Sequence, residues 1–140
     1  MRIFLPLALA FSSLLASLAS HRVGPTRTPA TTPACHARPD LVSSCFTVHG
    51  ALRFYNGAPA VRIWKIGSAH LLGVQGLNET GAPESPTVCP LPDGLRDTLE
   101  AGKEVIADFR VCPLTKERPS IMQLVCVDSA SHMRVKPFRF

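Results

Sequence analysis

Apolar and polar residues alternate along the stretch Phe46 to Tyr55. Phe46, Val48, Gly50, Leu52 and Phe54 fall on one side. Thr47, His49, Ala51, Arg53 and Tyr55 fall on the other. A period of two sustained this long predicts a strand with one buried face. Gly50, on the inward face, lets such a strand bend sharply. Asn56-Gly57 is a turn pair that tolerates positive φ. It leads into a second strand over Ala60–Ile66. Val61 and Ile63 share one face there, whereas Trp64 and Ile66 share the other, which predicts a bulge or burial on both sides. Gly67-Ser68-Ala69 is a further turn, and His70–Val74 a brief third strand.

Gly76–Val88 is a surface loop by composition. Asn78-Glu79-Thr80 within it fits a glycosylation sequon. Leu91, Leu95 and Leu99 then fall at i, i+4 and i+8, with Pro92 suited to a first turn and Gly102 to a stop. One short helix is predicted over Leu91–Ala101, with Asp93 and Asp97 solvating one face. Strict alternation returns over Glu104–Cys112, with Val105, Ala107, Phe109 and Val111 inward. Pro113–Ser120 is a polar turn. Ile121–Val127 is a strong strand, continued at Met133–Val135 after a break over 128–131. The expected core is Phe46, Val48, Leu52, Phe54, Val105, Phe109 and Val111.

Three strands, a helix and two more strands is the element order of an OB-fold. The chain therefore resembles a mainly β, OB-like five-stranded barrel with one short α-helix between strands 3 and 4. An open antiparallel sheet covered by one helix is the alternative. The stretch Val48–Trp64, with Asp108-Phe-Arg-Val-Cys-Pro113, also resembles small exported proteins of Gram-negative bacteria. That resemblance implies export and carries no active site to transfer.

The amino terminus agrees with export. Arg2 precedes an apolar run, and Ser17 and Ala19 close it, as in a secretory leader cleaved after Ala19. The organisation expected is a leader over 1–19, a Pro/Thr-rich tether over 20–41 and one β-rich domain over 42–140. No later segment has the length of apolar sequence that a membrane helix needs. The net charge is +5, with the charges scattered rather than gathered in a stripe. This speaks against nucleic acid as a partner and supports no more than a weak preference for anionic surfaces. Outside the cytoplasm, an envelope protein or a glycan is the expected partner.

Export sets the reading of the five cysteines. In an oxidising compartment they pair, and an odd number leaves one over. Folding the last two strands about residue 119 brings Cys112 opposite Cys126, so that bridge is expected. Cys45–Cys89 is the second, with Cys35 left over, and Cys35–Cys45 is the rival link. No Cys-x-x-Cys is present, so no metal is expected, and no cofactor motif appears.

No reaction motif emerges. Asp128, Ser129, Ser131 and His132 are the residue types of a hydrolytic triad, but crowded into one polar break, with no Gly-x-Ser-x-Gly elbow. Cys45 and His49 share a strand face about 13 Å apart along a regular strand. The expectation is a non-enzymatic binding module, with a small secreted hydrolase as the alternative. Arg53, Tyr55, Arg62, Trp64 and Lys65 form the one basic–aromatic set that could hold a ligand. Trp64, the single tryptophan, could instead fill the core.

Overall fold

β1 spans Phe46–Phe54 and carries two partners at once. It pairs antiparallel with β4 (Lys103–Pro113) from Phe46↔Val111 to Leu52↔Val105. It also pairs antiparallel with β2 (Val61–Lys65) from Gly50↔Lys65 to Phe54↔Val61. Gly50, Ala51 and Leu52 therefore sit in both ladders, where the strand passes from one part of the sheet to the other. The computed structural model describes residues 34–77 and 89–138. The leader, the tether as far as residue 33 and the Asn78-Glu79-Thr80 sequon lie outside the described residues.

β2 continues to β3 (Leu71–Val74) in an antiparallel pair. β5 (Gln123–Pro137) lies antiparallel to β4 and parallel to β3, through Leu72↔Gln123 to Val74↔Val125. The order β1-β2-β3-β5-β4 closes on itself. The expected mainly β, five-stranded barrel is thus the observed architecture, and the open sheet is not.

Alternation places Val48, Leu52, Val61, Ile63, Val105, Ala107, Phe109, Val111, Val125 and Val127 in one core. Leu91, Leu95 and Leu99 join it. The strands form the walls, so these leucines enter through an open end. The helix that presents them is shorter than predicted. α1 covers only Asp93–Arg96, followed by looser turns from Thr98 N–H to Leu95 and from Leu99 N–H to Arg96. Pro92 at its start offers no side-chain cap. Burial of the leucine stripe, rather than helix propensity, holds the segment.

Four other expectations change. Phe46 is 39% exposed, because it is the first residue of β1, at the end of the barrel, where it borders an open recess with Lys65, His70 and Ile121. Phe54 is only partly buried against the core. β2 has neither a bulge nor two buried faces: Val61 and Ile63 point in, and Trp64 and Ile66 are exposed. The break expected at 128–131 is part of β5, which stays paired with β4 by absorbing extra residues. One lies at Asp128, between the pairs Arg110↔Ser129 and Val111↔Val127. The other lies near His132, between Asp108↔Ser131 and Ile106↔Arg134, with His132 in the left-handed region at φ 53°. Such bulges turn a side chain without ending the ladder.

Residues 35–41, assigned to the tether by composition, are part of the packed unit. A 3-10 turn at Cys35–Ala37 lies on β4 and β5. Cys35, Cys89, Cys112 and Cys126 are buried there with Leu41, Cys45 and Leu114 against them. This is a second, sulfur-rich core on the outside of the barrel wall.

Candidate functional site

The predicted basic–aromatic set divides. Arg53 and Arg62 are directly opposite on β1 and β2, on the outer face of the wall. Their guanidinium carbons lie 4.8 and 5.0 Å from the centroid of the Tyr55 ring. Arg53 also stacks on Phe138, at 3.8 Å, which sequence reasoning did not include. The signal for Phe138 was absent locally. It reaches the site because β5 runs its full length beside β4, which ends with Phe138 N–H donating to the Gly102 carbonyl.

Both arginines are anchored. Arg62 Nε donates to the Pro59 carbonyl at 2.9 Å and Nη2 to that of Asn56 at 3.1 Å, so the guanidinium pins the β1–β2 turn. Arg53 Nη1 lies 3.4 Å from Glu104 Oε2, with both side chains 17% exposed. Arg53 Nε is buried and has no hydrogen-bond partner among the described residues. A hollow bounded by Phe54, Tyr55, Asn56, Gly102, Lys103 and Phe138 opens beside these groups.

Trp64 lies on the same outer face and is 38% exposed, so it does not fill the core. Its ring nitrogen donates to the Ser68 carbonyl at 2.8 Å. Lys65 is elsewhere. It stands at the barrel mouth opposite Gly50 and borders a different recess, with Phe46, His70, Glu117 and Ile121.

A second polar group was not anticipated. Asp108 on β4 accepts from His49 of β1 and His132 of β5, with Nδ1–Oδ distances of 2.7 and 2.9 Å. The β1–β4 register sets His49 beside Asp108, and the bulge near His132 turns that ring back. The hydrogen bond from His49, then that from His132, holds the Asp108 carboxyl below its ordinary value. Nearby, Asp128 accepts from His36 Nδ1 at 2.7 Å and lies 3.3 Å from Arg110 Nε.

These contacts use up the triad residues in other ways. His132 faces Asp108, and Asp128 faces His36 and Arg110. Among the described residues, the histidine rings that make side-chain hydrogen bonds make them to aspartates, and none is joined to a serine, threonine or cysteine side chain. Cys45 is bonded to Cys112, so it is not a thiol near His49.

The cysteine pattern corrects the expected one. Cys112 and Cys126 are opposite in the β4–β5 register, as folding about residue 119 requires. Yet Cys112 pairs with Cys45, with Cα atoms 4.1 Å apart. Cys45 is the next step of the β1–β4 ladder beyond Phe46↔Val111, so it flanks Cys112 from the other side. That also excludes Cys45–Cys89 and Cys35–Cys45. Cys126 instead meets both Cys35 and Cys89, at Cα separations of 5.8 and 5.7 Å. Among the described residues, the three sulfurs form the one cluster with spacing suited to a metal ion.

Among the described residues, no helix is long and apolar enough to cross a membrane. No family model, curated protein or solved structure matches the chain.

Proposed function

We propose that the chain is an exported, non-enzymatic binding module whose ligand is a glycan of the cell envelope. The leader-like amino terminus supports export. The observation that carries the binding reading is the meeting of Arg53, Tyr55, Arg62 and Phe138 on one outer patch beside a hollow. Aromatic rings offer flat apolar faces to sugar rings, and fixed guanidinium groups favour acidic substituents. The OB-like strand order supports it too, since such barrels bind oligosaccharides on their walls. Arg53 and Arg62 are already held by neighbours, so little side-chain freedom is lost on binding.

Affinity electrophoresis of the full chain through isolated envelope polysaccharide tests the reading. Tyr55→Ala with Arg53→Ala should weaken retention about tenfold, equivalent to roughly 1.4 kcal/mol. The far-ultraviolet spectrum should stay unchanged. Undiminished retention by the double variant removes this patch as the site. Capture of an envelope protein in place of polysaccharide would replace the ligand class.

A further inference from the structure

Five cysteines cannot all be paired, and the fold decides where the odd one lies. Cys45–Cys112 closes on itself. The odd sulfur therefore belongs to Cys35, Cys89 and Cys126, whose Sγ atoms all lie within 4.8 Å of one another. Both Cα separations to Cys126 fall in the range a disulfide can span. Valence allows Cys126 one of the two.

Each alternative leaves a sulfur with its own hydrogen-bond partner in place. If Cys35 bonds Cys126, Cys89 is odd, and Arg38 Nη1 donates to its Sγ at 3.2 Å. A guanidinium at that distance favours the thiolate, the nucleophilic form. Asp40 holds Arg38 in position through Nε and Nη2, at 2.9 and 2.7 Å. If Cys89 bonds Cys126, Cys35 is odd, and its thiol donates to the Val127 carbonyl at 3.2 Å. The surroundings are thus built for a thiolate at Cys89 and a neutral thiol at Cys35.

We infer that this cluster is an internal thiol–disulfide exchange site in which Cys126 alternates between Cys35 and Cys89. The Cys89 thiolate attacks Cys126 Sγ. The Sγ89–Sγ126 bond forms as the Sγ126–Sγ35 bond breaks, and the electron pair leaves on Cys35. Cys35 takes a proton from solvent through the hollow it shares with Pro90, Leu91 and Asp128. One disulfide and one thiol exist before and after, so no oxidant or reductant is consumed. What changes is which segment is pinned to β5: the one entering at Cys35 or the one leading to α1. The inference requires an oxidised domain and is independent of the glycan reading.

The oxidised full chain is alkylated in acid, digested without reductant and mapped. Two cross-linked species are expected. One joins Cys35 to Cys126 with Cys89 alkylated, and the other joins Cys89 to Cys126 with Cys35 alkylated. Each isomer, separated in acid before any alkylation and returned to neutral pH with its third thiol free, should regenerate the other. Arg38→Met should lower the share of the Cys35–Cys126 species at least about threefold, through loss of a hydrogen bond to a charged sulfur. Cys35→Ser and Cys89→Ser should each fold with the remaining pair linked. A single linkage in every molecule overturns the inference, as does an isolated species that does not revert. Three free thiols on a tightly held metal ion would also overturn it.

Discussion

A methyl group added to Gly50 would lie 2.5 Å from Cγ2 of Ile63 and 2.9 Å from the Trp64 carbonyl oxygen. Both contacts are closer than real Cβ atoms tolerate, and one is to backbone. Gly50→Ala should therefore destabilise the domain by overpacking, by about 1–3 kcal/mol. Urea unfolding measures it. A variant as stable as the parent would show that β1 can give way at its double-paired stretch.

Phe109 is fully buried at the centre of the main core, whereas Phe46 stands at the mouth. Phe109→Ala should cost about 3–5 kcal/mol. Phe46→Ala should cost well under half as much. Equal losses in chemical denaturation would contradict the assignment of Phe46 to the rim.

Much of this barrel was legible because the inward positions of β1 and β4 are apolar at period two, even though Ala51, Ile106 and Cys112 are buried on the other face as well. The Leu91, Leu95, Leu99 stripe was legible for the same reason, although α1 is a single turn. Phe46 and Trp64 were not legible. Alternation gives a residue's side of the strand but not its distance from the open end, and it cannot tell an exposed tryptophan from a core one. The fold line at residue 119 was readable from two strands. The partner of Cys112 was not, because it depends on the β1–β4 register, a pairing between residues distant in sequence. Asp108 with its two histidines needs that register and a bulge, so no local spacing announces it.

The Cys45–Cys112 bridge joins residues 67 positions apart. Replacing both with alanine should cost about 2–5 kcal/mol, since a long closed loop restricts the unfolded chain. The bridge ties the start of β1 to the end of β4, so the loss should appear in the global unfolding transition. No change in the urea midpoint would mean that the β1–β4 ladder holds this corner alone.

Asp108 sets one part of the acid limit. Its carboxyl is held below the ordinary value of 3.8 by hydrogen bonds from His49 and His132. The unfolded chain thus takes up this proton first as pH falls. The stabilisation is present above the ordinary value and is lost as pH drops through the lower folded value. Asp108→Asn should flatten the fall in stability on the acid side. Asp40, lowered by Arg38, should keep part of the slope. Urea midpoints taken between about pH 5 and pH 2 check this. An unchanged slope would assign the acid limit to other groups.

The outer half of β5 has a consequence for association. Among the described residues, β5 beyond Val127 pairs with β4 alone, which leaves its other side as an edge that a foreign strand could extend. Two extra residues interrupt its hydrogen-bonding rhythm, at Asp128 and near His132. Arg134, Lys136 and Pro137 follow on the same arm. An incoming strand would meet a broken spacing, then like charges on any second copy of itself, then a residue with no N–H to offer. The geometry that turns His132 onto Asp108 also makes this margin a poor template for stacking one molecule upon the next.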